Sequence, residues 1–299
     1  MIRLLRARLQ QGHQTSTRPV DALQLPERFR GRPDIAPSLC KDDCRTCADA
    51  CPTDAIKLQP LRLDLGACLF CGACQDACPT GAIRFTNDHR LSVRGREDLL
   101  LEGTELPLAR SLDVRMRRLF GRSLKLRQVS AGGCNGCEAE LVALGNVVFD
   151  LGRFGIQFVA SPRHADGIVV TGPVTENMEA ALRETYAAVP PPRIVIAVGA
   201  CAISGGPFGG SEAARGSLPP DIPVDLYIAG CPPHPLTVLD GLLRLVGQLE
   251  RRDAGRQVAE EIRAETLEWG TRRANAELRA VGVGGGSEPA EPQGSRSRA

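Results

Sequence analysis

Twelve cysteines carry the chemistry legible in this 299-residue chain, and their spacing says more than their number. Eight fall between residues 36 and 88, in two runs. The second run, Cys68-Leu-Phe-Cys71-Gly-Ala-Cys74-Gln-Asp-Ala-Cys78-Pro79, is C-x2-C-x2-C-x3-C-P in every position. Three closely spaced thiolates wrap three irons of a cubane, while the fourth, turned away by the following helix and proline, ligates a neighbouring cluster. By this crossed rule Cys51, Cys68, Cys71 and Cys74 hold one 4Fe–4S cluster, and Cys40, Cys44, Cys47 and Cys78 hold the other. The first run departs from the pattern, since Cys40-Lys-Asp-Asp-Cys44 has three residues between its first two cysteines. Either a bulge absorbs the extra residue or the cluster there is weak and labile, and Cys40 is the ligand this puts in question. Zinc also accepts four thiolates. Zinc motifs, however, pair two C-x2-C knuckles, not two four-cysteine runs that each end in Cys-Pro.

Cys134, Cys137, Cys201 and Cys231 are widely separated, so the elements between them decide whether they meet. Short apolar runs of strand type at 156–160, 167–171, 193–198 and 224–228 alternate with helix-like segments at 138–149, 177–188 and 236–249. Such alternation specifies a parallel sheet flanked by helices. In a doubly wound sheet the loops at the carboxyl ends of the strands converge on one crevice. Cys201 directly follows one strand, Cys231 follows another, and the Cys134/Cys137 pair opens a helix after a strand ending near Val129. Four thiolates on one rim make a third cluster site. Buried structural cysteine would account for one such residue, not for four in glycine-rich loops.

The remaining sequence bounds the function. A composition 42% hydrophobic can bury a core without metal to compensate for small size, and a net charge of +2 excludes nucleic acid as an expected partner. Only three lysines stand beside many arginines, which reads as genomic composition bias. No run approaches the roughly 20 apolar residues of a membrane span, and the N-terminus lacks a signal peptide's apolar core. A cytoplasmic setting is therefore expected, where tightly spaced cysteines mean metal and not disulfides. The chain divides into an N-terminal docking segment (1–35), a two-cluster domain (36–88), a linker (89–121), an α/β domain (122–250) and a charged helix with a disordered tail (251–299). Ile2, Leu5 and Leu9 share a helical face beside Arg3 and Arg6, which suits an ordinary surface helix or docking on a membrane subunit or the membrane surface. Residues 47–56 are echoed by 74–83, marking a duplicated unit. Glu138 adjoins a ligand and either couples proton uptake to cluster reduction or is a helix-start carboxylate. Arg163 and His164, on a loop after a strand, are candidates to charge-tune the third cluster, with a subunit contact the alternative for His164. Four histidines without ligand spacing make no metal site, and the glycines at 205–210 lack a nucleotide-binding order.

Several motifs in fixed order carry a resemblance. Cys134-Asn-Gly-Cys137-Glu138, Ser161-Pro-Arg-His-Ala-Asp166, Val170-Thr-Gly-Pro-Val-Thr175, Gly199-Ala-Cys-Ala-Ile-Ser-Gly-Gly206 and Gly230-Cys-Pro-Pro233 resemble the small subunit of membrane-bound, energy-converting nickel–iron hydrogenases. The cluster-bearing 20 kDa subunit of complex I is of the same family. The first 100 residues, with Phe29-Arg-Gly-Arg-Pro33 ahead of the cysteines, resemble the ferredoxin subunit of formate hydrogenlyase and its complex I counterpart. The chain thus looks like a fusion of two subunits usually separate, a two-cluster ferredoxin domain followed by a flavodoxin-like α/β domain. Complex I homologues have adjacent cysteines at the first ligand position, whereas Cys134 and Cys137 are two residues apart, as in the hydrogenase branch. Uptake hydrogenases add ligands in a C-terminal extension, and here no cysteine follows Cys231.

The resemblance implies a wire of three 4Fe–4S clusters and no nickel in this chain. A soluble donor, formate dehydrogenase or ferredoxin, would supply electrons. The third cluster would face a hydrogenase large subunit or its complex I 49 kDa-like counterpart, beside membrane subunits at the inner face of the cell membrane. A quinone-like acceptor, as in complex I, is the alternative end point. A zinc-stabilised assembly subunit without redox function is the alternative of another class.

Overall fold

The computed structural model describes residues 2–12, 15, 25–41, 43–120 and 123–249. The charged helix and tail expected after residue 250 lie outside the described residues. Helix α1 (Ile2–Gln11) forms where the amphipathic pattern places it, and none of its residues is buried.

In the cysteine-rich part, β1 (Pro33–Ile35) pairs antiparallel with β4 (Ile83–Phe85), and β2 (Ile56–Lys57) with β3 (Arg62–Asp64). Two short helices, α2 (Thr46–Asp49) and α3 (Ala73–Ala77), carry Cys47 and Cys74 and pack together. The sequence repeat reappears as repeated bonding. The Ala55 N–H donates to Cys51 Sγ at 3.3 Å, and the Ala82 N–H donates to Cys78 Sγ at 3.2 Å. Each cysteine also has the threonine two residues on at its sulfur, Thr53 at 3.8 Å and Thr80 at 3.7 Å.

The stretch after residue 89 is woven into two of the three sheets. Strand β5 (Ser92–Val93) runs antiparallel along the edge of the large sheet, and β6 (Leu100–Leu101) adds to β3. Helix α4 (Val114–Phe120) follows. The large sheet continues with β7 (Leu124–Ser130), β8 (Ile156–Phe158), β9 (Gly167–Thr171), β10 (Ile194–Val198) and β11 (Leu226–Ile228), all parallel, in the order β5-β11-β10-β9-β7-β8. Counted from β7, the parallel strands follow the flavodoxin-like order 2-1-3-4-5. Strands β9 and β10 are apolar throughout apart from Gly167 and Thr171, and every residue of both is buried, as strands covered on two faces require. Helices α5 (Gly136–Ala143), α6 (Glu176–Ala188), α7 (Ala200–Ser204) and α8 (Pro235–Leu245) complete the layers.

Alternate residues of these strands enter different cores. Val169, Ile194, Ile196 and Val198 pack with Leu141, Leu239 and Leu242 of α5 and α8. Ile168, Val170, Val195 and Ala197 belong to the same core as Ile35, Leu63, Leu65 and Ile83 of the cysteine-rich part. The two parts that resemble separate subunits therefore share apolar packing, each fully buried leucine contributing roughly 1.5–3 kcal/mol.

A carboxylate ties the entrance of the chain to its exit from the cysteine-rich part. Asp88 lies 3.2 Å from Arg32 and 2.7 Å from Arg90. Burial pushes its carboxyl up, but the Arg90 hydrogen bonds and the charges of Arg90 and Arg32 outweigh this and hold it below the ordinary value of 3.8. A lowered carboxyl stabilises the fold above that value and loses its contribution as the pH falls through the folded-state pKa. Asp88→Asn is expected to cost about 1 kcal/mol at pH 7, with Arg90 partly in solvent, and to cost little in strong acid. Urea titrations at the two pH values check this.

Candidate iron–sulfur sites

The four scattered cysteines all lie in the segments that leave strand ends. After β7 the chain turns through Gly132 and Gly133, whose backbones lie against Gly172 and Thr175, and enters α5 with Cys134 and Cys137. Cys201 sits in the first turn of α7, after β10, and Cys231 follows β11 just before α8. Glycine is required beside the sulfurs. Gly199 has φ +87°, and a Cβ there would lie 2.5 Å from Cys137 Sγ. At Gly206, φ +54°, a Cβ would lie 2.9 Å from Cys201 Sγ.

The thiols influence one another in three groups. Burial first, then Cys74, Cys51 and Cys71, push Cys68 up to about 12. Burial, then Cys51, Cys71 and Cys47, push Cys74 up to about 11. Cys47 is raised by burial and by Cys78 and Cys40, while Cys44 is lowered by its Thr46 hydrogen bonds. In the α/β part, burial, Glu138, Cys201, Cys231 and Cys134 push Cys137 up to about 12. Cys201 rises to about 11 through burial, Cys231, Cys134 and Glu138. Electrostatic influence also crosses between groups: Cys47 helps raise Cys74, and Cys71 helps raise Cys231.

Crowded, half-buried thiols that resist ionisation are what a cationic metal group reverses, since coordination deprotonates them. Among the described residues no three His, Cys, Asp or Glu side chains are arranged to hold a single metal ion. Mononuclear zinc needs all four thiolates about 2.3 Å from one ion, whereas a cubane takes one thiolate on each of four irons. A multi-iron cluster suits groups of four thiols, and N–H donors to sulfur, such as Phe70 N–H to Cys68 at 3.3 Å, suit its charge.

Glu138 is buried in the first turn of α5, accepting bonds from Ser130 Oγ at 2.6 Å and Thr171 Oγ1 at 2.8 Å. Those hydroxyls outweigh burial and lower its carboxyl. It ties the ends of β7 and β9 to the helix that bears Cys137. Arg163 and His164 are not brought to the cysteines. They occupy an exposed turn (Pro162–His164) leading back to the start of β9, where Asp166 bonds Lys125 at the opposite end of β7 from Ser130. With so few residues between β8 and β9, the chain must double back at once, which a strand-then-loop reading of sequence does not show. His234, in contrast, caps α8 through Nδ1, which accepts from the Leu236 N–H at 3.2 Å. Its ring meets the edges of Phe29 and Phe149.

Fold and site together define an iron–sulfur oxidoreductase subunit built on a flavodoxin-like sheet. Residues 134–245 match the family described as NADH ubiquinone oxidoreductase, 20 kDa subunit, and residues 39–82 match the 4Fe-4S dicluster domain. A probable membrane-bound hydrogenase subunit, mbhJ, of Pyrococcus furiosus is 40% identical over 144 residues, 48% of this chain and 86% of the relative. Formate hydrogenlyase subunit 7 of Escherichia coli is 41% identical over 142 residues, 48% of this chain and 56% of the relative. An NADH-quinone oxidoreductase subunit of Desulfovibrio desulfuricans is 46% identical over 127 residues, 42% of this chain and 68% of the relative. The chain belongs to the 20 kDa subunit family of NADH ubiquinone oxidoreductase, with a 4Fe-4S dicluster domain ahead of the family's own fold.

Proposed function

We propose that this chain relays electrons through three 4Fe–4S clusters within a membrane-associated, formate-hydrogenlyase-like nickel–iron hydrogenase complex. The succession of thiol groups supports the reading most: Cys40/Cys44/Cys47/Cys78, then Cys51/Cys68/Cys71/Cys74, then Cys134/Cys137/Cys201/Cys231, with Cys47 close enough to raise Cys74 electrostatically and Cys71 close enough to raise Cys231. Bound clusters supply one-electron carriers. The protein's own residues hold them in line, donate hydrogen bonds to sulfur and exclude water.

The two ends of the line suit different partners. Cys44 lies beside a surface depression lined by Asp43, Asp49, Asp54 and Lys57, a place for a soluble donor to approach. At the other end Cys134 and Cys231 are exposed, a place for a large subunit with a nickel–iron site to cover. The two-residue spacing of Cys134 and Cys137 favours the hydrogenase branch over transfer to a quinone. No helix among the described residues is long and apolar enough to cross a membrane. Exposed Ile2, Leu5 and Leu9 on α1, with Arg3 and Arg6, suit peripheral attachment at the inner face of the membrane.

The experiment is anaerobic purification with iron, zinc and acid-labile sulfide assays, then electron paramagnetic resonance of the reduced chain. About twelve irons and as many sulfides per chain, with interacting signals, are expected from three cubanes. About eight would point to loss of the cluster at the irregular Cys40 run. Zinc without sulfide would overturn the electron-transfer reading in favour of a zinc-stabilised scaffold.

A further inference from the structure

Phe29 and Arg30 are neighbours in the chain that reach to opposite sides of the passage between the second and third cysteine groups. The Phe29 ring meets His234 edge-on, centroids 5.5 Å apart and planes at 76°. His234 caps the helix that begins just after Cys231, and Phe149 approaches the same imidazole at 6.2 Å. Arg30 lies across Gly72, the residue between Cys71 and Ala73, so closely that a Cβ there would be 2.6 Å from Nε and 3.0 Å from Cζ. Among the described residues the Arg30 guanidinium has no carboxylate partner. The backbone that follows it is held in place: Gly31 has no room for a Cβ against the Asp88 carbonyl, its N–H donates to Thr86 O at 2.7 Å, and Arg32 pairs with Asp88.

We propose that Phe29 and Arg30 form a clasp over the electron crossing from the Cys51/Cys68/Cys71/Cys74 site to the Cys134/Cys137/Cys201/Cys231 site. In the clasp Arg30 sets the potential of the former site and Phe29 shields the side of the latter. The inference rests on the reading of those cysteines as cluster ligands. A cubane held by four thiolates is anionic and gains one further negative charge on reduction. A cation beside it favours the reduced form, and net charge is one of the terms that set such potentials. Arg30 is exposed, so salt screens it in part. Gly72 suits this arrangement twice over, by its φ of +85° and by leaving the guanidinium room to reach the loop.

The test uses the full chain with Arg30→Gln and Arg30→Lys, purified anaerobically and titrated with dithionite through mediators while paramagnetic signals are followed. The Cys71→Ser variant assigns the signal of the second site. Arg30→Gln is expected to weaken electron binding at that site alone, up to tenfold, which is 59 mV downward for one electron. Iron content should match the wild type, Arg30→Lys should restore most of the shift, and high salt should shrink it. Unmoved potentials with full iron would overturn the inference, as would equal shifts at all sites or a lysine variant no better than glutamine. A wild-type chain lacking sulfide would overturn the ligand reading, and this inference with it.

Discussion

Cys201→Ser is expected to remove about four of about twelve irons and to abolish one paramagnetic signal, leaving the other two sites filled. Cys201 is buried at the start of α7, and its thiol is pushed up to about 11 by burial and by Cys231, Cys134 and Glu138. A serine hydroxyl there is far less acidic than a thiol and offers iron no comparable ligand. The two sites proposed in the cysteine-rich part use other cysteines, with hydrogen bonds from Ala55, Phe70 and Ala82, so they should persist. Electron transfer to an acceptor partner should then fall to background, while reduction of the remaining clusters by dithionite continues. Loss of all iron in this variant would mean that the three groups do not act as separate sites.

Gly199→Ala should have nearly the same effect without replacing any proposed ligand. At φ +87° and ψ 157° this residue occupies a region open almost only to glycine, and a side chain there costs about 1–3 kcal/mol. The added methyl would also stand 2.5 Å from Cys137 Sγ, with the Gly230 carbonyl at 3.5 Å behind it. Lost stability and loss of the third site's iron are expected together. Gly210 makes the comparison, because it too has positive φ, +82°, but nothing lies within 4 Å of its Cβ position. Gly210→Ala should therefore be destabilised while keeping its iron. Iron-to-protein ratios and urea midpoints of both variants decide the matter, and equal iron in the two would sink the steric account.

Much of this was legible in the sequence because it was local. The C-x2-C-x2-C-x3-C-P run, its echo at Cys51-Pro52, and the buried apolar runs of β9 and β10 are patterns within a few residues. The expectation that Cys134, Cys137, Cys201 and Cys231 converge rests on one topological rule about strand ends. What escaped was nonlocal. Strands β5 and β6 are two residues each, too short for any alternation to show, and they exist because β11 and β3 offer them an edge. Arg163 and His164 follow a strand, as expected, yet the turn carries them away from the rim. The meeting of Phe29 with His234 and of Arg30 with Gly72 joins residues distant in the chain, and nothing in either segment announces the other.

The core that runs from Ile35 and Leu63 to Ile168 and Val195 has a consequence for assembly in the cell. When two electron carriers are separate polypeptides, the fraction in contact depends on their concentrations and on a dissociation constant. Here the tether makes docking intramolecular, with an effective concentration in the millimolar range even before packing adds its share. Dilution, competition from other redox proteins and unequal synthesis of the two halves then cannot uncouple the Cys71 site from the Cys231 site. Every folded chain carries both in fixed stoichiometry.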